Sequence, residues 1–584
     1  MEGYYNKLLR INLTSCNYSE EEIADDVLKV NIGGKGLGGY FMLKEIPDII
    51  SPFSPDNKII FITGPAAGTK LWGNSRYGVF SKSPQTMIFG ESYSGGKVAP
   101  QMKSTGYDVI ILEGKSPLPV YLEISDKWVK FHDATHLWGN ETYATEDQIL
   151  KEINVPGAQA IVIGPAGENL VNFAVIENNF WRSAGRTGMG ALMGSKKVKG
   201  IAFHGSSKCE IHNPDLLLEI NKKISEHIKI SPATVTSYRN EGTPMTVKVT
   251  SLSGSFPSNY WTTGTFKEWK KLTSAYMNEH FDVKSKACPN CFMSCGKLSS
   301  VRSGAYKGLT VEGPEYETIY AFGGLNCLGS LEEVVYLNDL CDRLGIDTIT
   351  AGNVTAFAIE AYKRGKSDFE IDYGQTERVA ELLKMIVYQK GVGKVFSKGV
   401  RGAAKELDLE DIAVHVKGLE PAGYEPRVLK GMGLAYAVSS RGACHLRGTF
   451  YKAELSGQIP ADTIEGKAKL FIDWEDRCTL FDCLILCRFY RDFIKWDELS
   501  MIIEATTGMK YNKEELGEIA NHITTQARRF NVREGITGKD DNLPPRFYKP
   551  LEDSGKVIKE EELNKMLQDY YKLRGWDETG IPKS

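Results

Sequence analysis

A chain of 584 residues exceeds what one hydrophobic core organises, so about two to four domains are expected, with ample length to bury a deep site. Its 71 basic and 74 acidic residues leave a formal charge of -3, which supplies no electrostatic reason to bind nucleic acid. The opening "MEGYYNKLLRINLT" lacks a signal-peptide pattern and no apolar run reaches membrane-spanning length, so a cytoplasmic protein with reduced thiols is expected.

Residues 1–209 hold short β-like runs separated by turn residues: "KLLRINLT", "KIIFITGPAAGT", "YGVFSKS", "DVIILEG", "PVYLEIS", "QAIVIGPAG" and "KGIAFHG". They predict a β-rich N-terminal domain. Within it "GKGLGG", Gly34–Gly39, satisfies G-x-G-x-x-G, with Asp56 near the position of a ribose-binding acid. The preceding "SEEEIADDVLKVN" reads as a helix, with a capping box at Ser19 and Glu22 and apolar Ile23, Val27 and Val30 at helical spacing. These glycines therefore end a helix where a dinucleotide fold requires a strand, and a nicotinamide fold is not expected.

From about residue 210 the periodicity turns helical, as in "NPDLLLEINKKISEHIKI" and "SLEEVVYLNDLCDRLG". Two mainly helical domains are expected, 210–415 and 416–584, giving an α+β chain overall. The charged, proline-punctuated last forty residues read as a surface wrap, and there is no internal repeat or low-complexity tract.

The stretch "KACPNCFMSCGK" spaces Cys288, Cys291 and Cys295 as C-x2-C-x3-C. Eleven cysteines in a long intracellular chain suit metal ligands and buried small hydrophobes better than a disulfide framework. Zinc and a four-iron cluster each want four ligands, so a fourth must come from elsewhere. Zinc usually adds a second C-x2-C or H-x3-H pair, which this chain lacks, and the S-adenosylmethionine radical enzymes run their spacing the other way. A four-iron cluster with a distant fourth cysteine fits best, structural zinc or packed thiols being the bland alternative. Cys327, Cys341, Cys444, Cys478, Cys483 and Cys487 are all candidates, and spacing does not choose among them.

In "DLCDRLGIDTIT", Leu337, Cys341 and Leu344 share one helical face, Gly345 is the expected C-terminal cap, and Asp347 can cap the next helix. An αα-corner with two capping acids would explain this alone. Far downstream, "FDCLILC" sets Asp482 five positions before Cys487, the interval that separates Asp342 from Asp347. Two such turns suggest two copies of one ligand.

With these turns, the chain resembles the tungsten-containing aldehyde ferredoxin oxidoreductase family, whose members carry a C-x2-C-x3-C motif and two D-x-x-G-L-(D/C) turns. The resemblance runs through "WGNSRYG", "RSAGRTGMGALMGSKKVKGI", "CPNCFMSC", "EGPEYET", "DRLGID", "KGMGLAYAVSSRGACHLR" and "DCLILC". It implies one tungsten (or molybdenum) bis-pterin, one [4Fe-4S] cluster with Cys487 as fourth ligand, and Mg2+ bridging the pterin phosphates. Asp342, Gly345, Asp347, Asp482 and Leu486 would meet the pterins. Arg76, Arg182, Arg186 and Arg447 would meet the phosphates, and Gly95, Gly96, Gly185 and Gly188 would let backbone approach them. Glu317 is the implied base and His445 the donor to the substrate oxygen, with Glu312 and Glu315 as neighbouring acids.

The implied reaction is oxidation of an aldehyde with water to a carboxylic acid, electrons leaving to ferredoxin or an iron–sulfur subunit. Reduction of an aryl-CoA thioester with partner subunits is the alternative, and a degenerate scaffold subunit a third reading that the intact "EGPEYET" and "RGACHLR" oppose. Ile485 stands where the second turn usually has glycine, and the ExxH pattern by which some relatives bridge two subunits is absent, so a homo- or hetero-oligomer is left open. Cys327 falls in a region near the metal in this family, and Tyr260 and Trp261 in "FPSNYWTTGTF" suit either an apolar pocket or the core.

Overall fold

A computed structural model describes residues 1–583. Alternation along the first strand sets the architecture. In β1 (Lys7–Asn12), Leu9 and Ile11 face a core shared with a second sheet, whereas Leu8 faces a core beneath helices. The first sheet has the order β2-β1-β6-β3-β4-β5, with β2 Asn17–Glu22, β3 Ile59–Ile62, β4 Tyr77–Lys82, β5 Phe89–Ser94 and β6 Val109–Glu113. Only β1 and β6 run parallel, Leu9 opposite Ile110.

The second sheet, ordered β11-β10-β9-β12-β7-β8, is built from β7 Val120–Ile124, β8 Val129–Asp133, β9 Gln159–Val162, β10 Ile176–Asn178, β11 Arg182–Ala184 and β12 Val198–Phe203. Leu122, Ile161 and Ile201 complete the core between the sheets. Helices α1 (Asp25–Asn31) and α2 (Gly34–Glu45) cover the outer face of the first sheet. Strands covered on both faces read as unbroken apolar runs, as Ile59–Ile62 does.

The seven expected N-terminal runs are all strands. Ser19 and Glu22 are a correction: they lie in β2, fully exposed at the sheet edge, and α1 begins at Asp25 behind Ala24, which makes no side-chain cap. Charged edge residues mimicked a capping box. The glycines after α1 also do more than end a helix, since they open α2. The preceding element is still a helix, so the exclusion of a dinucleotide fingerprint holds.

The remainder is mainly helical, with two departures. A three-stranded antiparallel sheet, β13 (Phe281–Lys286), β14 (Gly296–Val301) and β15 (Thr310–Glu312), sits inside the helical region, and the cysteine stretch is the β13–β14 connection. The last forty residues are more than a wrap: Leu563, Met566, Tyr570 and Trp576 are buried in the main helical core. Tyr260 and Trp261 are fully buried there too. Among the described residues, no helix is long and apolar enough to cross a membrane.

Candidate active site

Helix α3 (Ala233–Glu241) borders the site, and α4 (Leu331–Leu344) builds its first turn. Ser330 caps α4 by accepting from Glu333 N, and the helix stops at Gly345, whose φ of 79° is left-handed. A Cβ at Gly345 would come 3.0 Å from Gly164 N, so glycine is required on both counts. Asp347 caps α5 (Thr348–Lys363), accepting from Ile349 N at 3.1 Å and Thr350 N at 3.3 Å. Its Oδ2 also lies 3.0 Å from Arg186 Nε. Asp342, one turn earlier, accepts from Asn338 Nδ2 at 2.7 Å. Burial, followed by the charge of Asp339, holds its carboxyl well above the usual range.

The second turn repeats this design with a bulky residue. Helix α6 (Lys467–Leu484) ends at Ile485, which takes the left-handed φ of 56° that Gly345 takes in the first. That conformation costs a β-branched residue about 1–2 kcal/mol. Burial at 1% exposure and the α2 backbone hold it, because a Cβ on Gly34 would come 1.9 Å from Asp482 O and 2.6 Å from Ile485 Cδ1. The glycines of "GKGLGG" thus seat α2 on this turn.

Asp482 Oδ2 accepts from Arg447 Nη1 and Arg488 Nη2, both at 2.5 Å. Arg447 Nη1 also lies 2.9 Å from Glu91 Oε2, and Glu91 lies 3.3 Å from Lys35 Nζ. Burial would raise the Glu91 carboxyl, but Arg447, Lys35 and Arg441 outweigh it and hold it below the usual range. Lys35 of "GKGLGG" is therefore part of a buried ionic network behind the site.

The "WGNSRYG" segment ties the second turn to the cysteine loop. Gly73 O accepts from Cys487 N at 2.8 Å, Gly73 N donates to Asn290 O at 3.2 Å, and Ser75 Oγ donates to Pro289 O at 2.6 Å. Cys288, Cys291, Cys295 and Cys487 accordingly line one cavity of about 370 Å³. Tyr490 OH donates to Cys291 Sγ at 3.4 Å. Among the described residues no three His, Cys, Asp or Glu side chains close on a point as a single metal ion requires. Thiols spread around a cavity suit a larger, polynuclear group.

The same cavity is lined by Arg76, Arg182, Arg186 and Arg447, by Asp342, Asp347 and Asp482, by Gly95 and Gly185, and by Glu317 and His445. The other named residues lie off this lining. Gly345 sets its turn without lining the cavity, and Gly188 is the left-handed N-cap of a helix. Leu486 is 2% exposed and packs into a core. Gly96, at φ 94°, faces an adjoining cavity with Arg182, Cys288 and Glu312. Cys327 lies off the main cavity, its thiol pushed up to about 11 by burial. Cys341, Cys478 and Cys483 are buried in helices, and Cys444 Sγ lies 2.9 Å from Arg441 Nη2.

Glu317 and His445 meet. His445 Nε2 lies 3.5 Å from Glu317 Oε1, and Gly423 N donates to Glu317 Oε2 at 3.0 Å. Burial, then Cys444 and Asp347, push the Glu317 carboxyl up to about 8 against the pull of Gly423 N–H and Arg186. Burial and the surrounding arginines hold His445 neutral, well below its ordinary value. Glu317 Oε1 and His445 Nδ1 are buried without hydrogen-bond partners. Such atoms are expensive unless a ligand meets them. Glu312 and Glu315 sit at the cysteine end: Glu312 pairs with Arg182 and Lys286, and Glu315 accepts from Thr243 Oγ1 at 2.6 Å.

Sequence reasoning missed Arg441, Arg488, Glu91 and the lining tyrosines. Arg441 lay inside the quoted "RGACHLR" and Arg488 beside Cys487, so both could have been found. Glu91 carried no signal, because a buried acid inside a strand is meaningful only beside its partners.

Two family models and several known proteins match the chain. The description "Aldehyde ferredoxin oxidoreductase, N-terminal domain" matches residues 8–205, and "Aldehyde ferredoxin oxidoreductase, domains 2 & 3" matches residues 219–584. The tungsten-containing aldehyde ferredoxin oxidoreductase of Thermococcus kodakarensis is 34% identical over 100% of this chain and 98% of its own. The aliphatic sulfonate oxidoreductase, WOR-like subunit, of Pyrococcus furiosus is 31% identical over 100% of this chain and 96% of its own. Among solved structures, the active site complex BamBC of benzoyl coenzyme A reductase with 1,5-dienoyl-CoA superposes with a TM-score of 0.85 over 100% of this chain and 96% of that chain, at 24% identity. The chain therefore belongs to the aldehyde ferredoxin oxidoreductase family, as an oxidoreductase of its tungsten-containing branch.

Proposed function

We propose that this enzyme oxidises an aldehyde with water to a carboxylic acid and passes the electrons to a ferredoxin or an iron–sulfur partner. The observation that carries the reading is the convergence on one cavity of four thiols, three buried acids, four arginines and the Glu317–His445 pair. The donor set suits the implied groups. Cys288, Cys291, Cys295 and Cys487 would hold a [4Fe-4S] cluster. Asp342, Asp347 and Asp482 would accept N–H bonds from two pterins, and Arg76, Arg182, Arg186 and Arg447 would meet their phosphates, with Mg2+ as a further counter-charge. Arg186 Nη1 and Arg447 Nε, buried without partners, are donors such a ligand would satisfy. When bound, the tungsten centre and the cluster supply two-electron and one-electron acceptors.

The protein's own residues do the rest. The ionised Glu317 removes a proton from water as its oxygen approaches the carbonyl carbon. A ring N–H of neutral His445 holds the carbonyl oxygen, and burial of both groups excludes bulk solvent. The test is anaerobic viologen reduction by tungsten- and iron-loaded enzyme with an aldehyde panel. Turnover of aldehydes supports the reading; reduction of benzoyl-CoA without aldehyde oxidation would replace it with the aryl-CoA alternative.

A further inference from the structure

The glycine-rich motif of the first domain carries a lysine that the chemistry does not use. Lys35 stands in the first turn of α2, is 4% exposed, and its Nζ lies 3.3 Å from Glu91 Oε1. A lysine is rarely kept from water without a charged partner. The glycine before it sets its place, because Gly34 packs directly on Asp482 O in the second turn. The charges of Asp482, Lys35 and Glu91 all act on the thiol of Cys483, the residue after Asp482. The motif therefore delivers one buried positive charge to the back of the second turn.

Glu91, in β5, is fully buried and engages both carboxylate oxygens and its backbone oxygen. Beyond Lys35, its Oε2 accepts from Tyr93 OH at 2.7 Å and lies 2.9 Å from Arg447 Nη1, and its backbone O accepts from Arg441 Nη1 at 2.6 Å. Arg447 Nη1 reaches on to Asp482 Oδ2 at 2.5 Å, and Arg441 Nη2 to Cys444 Sγ at 2.9 Å. Both arginines line the cavity, whereas Glu91 and Lys35 lie outside it. The Nε of each arginine is buried without a partner. One residue behind the wall thus holds two guanidinium groups, each of which keeps a donor for a ligand.

We propose that Glu91 and Lys35 are positioning residues for the redox group the cavity takes: Glu91 fixes Arg441 and Arg447 against its anionic arms, and the Glu91–Lys35 charge pair sets its reduction potential. This rests on the pterin assignment above and not on the direction of the reaction. Charges buried this deeply act over a distance with little screening by salt. The negative charge of Glu91 opposes the arrival of an electron and the positive charge of Lys35 favours it, so removing one or the other moves the potential in opposite directions. A pair that only filled the core would alter the melt without that reversal of sign.

The test compares Glu91→Gln, Lys35→Met and the double variant in enzyme carrying tungsten and iron, by dye-mediated redox titration followed by electron paramagnetic resonance, with tungsten analysis and thermal melts on the same samples. At a fixed dye potential, Glu91→Gln should shift the balance about tenfold towards the reduced centre and Lys35→Met about tenfold towards the oxidised one, with the double variant back near wild type. Glu91→Gln should also hold tungsten about 10–100-fold less tightly, read as faster loss on dialysis, the retained fraction being the one titrated. Because it leaves Lys35 buried without its partner, this variant should melt below the double variant. If Glu91→Gln does not fold, Lys35→Met and the double variant carry the titration. Potentials that stay at the wild-type value, or move the same way in both single variants, overturn the assignment, and continued aldehyde oxidation in those samples leaves the reading of the reaction standing. Opposite shifts in enzyme that oxidises no aldehyde uphold the charge pair and overturn the aldehyde reading.

Discussion

Replacing Glu317 by Gln tests the chemistry most directly, because Gln keeps the shape and the acceptor for Gly423 N–H but removes the titrating proton. The wild-type carboxyl is pushed from 4.5 to about 8, chiefly by burial. A native value above the unfolded one means that the folded chain holds a proton which the unfolded chain has released. The associated stability is fully present below about pH 4.5 and is lost as pH rises through about 8. At 1.36 kcal/mol per pH unit, the interval corresponds to about 5 kcal/mol of ionisation penalty.

As the proton acceptor, Glu317 must be ionised, so wild-type kcat/KM should climb about tenfold per pH unit at neutral pH and level off above about 8. Glu317→Gln should lose about 10²–10⁴-fold in rate and flatten that limb. Anaerobic viologen assays between about pH 6 and 9.5, on proteins matched for tungsten and iron, read the rate. Thermal melts at the two extremes should show wild type losing ground to the variant as pH rises. A variant that keeps the limb near pH 8, or turns over within threefold of wild type, would refute the assignment.

Asp482→Asn leaves Arg447 and Arg488 without their shared charge and should destabilise by about 3–5 kcal/mol, with depleted tungsten on metal analysis; a full metal complement and an unchanged melt would count against the second turn as a ligand site. Cys487→Ala should lower bound iron from the about four per chain of a complete cubane, and an unchanged iron content would move the fourth ligand elsewhere. Gly34→Ala drives a Cβ to within 1.9 Å of Asp482 O and should cost more than about 3 kcal/mol, read as lost soluble yield or a markedly lower melt; a near-wild-type melt would deny the close seating of α2.

The sequence by itself determined the apolar strands, the amphipathic α4 with its glycine stop, and the cysteine spacing, because each depends on residues within a turn or two of one another. Motif resemblance extended this to the acids and arginines that line the cavity. It failed where a local pattern has two meanings: exposed acids at Ser19 to Glu22 make an edge strand as readily as a helix start, and the glycines of "GKGLGG" reveal their purpose only against Asp482 O. Strand β5 was invisible because Glu91 sits in buried ion pairs while Ser92 and Tyr93 line the cavity, so it lacks the apolar alternation of a strand.

What the resemblance implied for Cys487, Glu317 and His445 became geometry only in the tertiary structure, which puts Cys487 on one cavity with the other three cysteines and sets Glu317, not Glu312 or Glu315, against His445. Cys295 and Cys487, like Glu317 and His445, are separated by more than a hundred residues, and their pairing is fixed by burial of the two sheets and the helical core. Spacing along the chain carries no record of it. A carboxyl near neutrality is likewise a property of the assembled site, since the same Glu317 in an unfolded chain would titrate with every other glutamate.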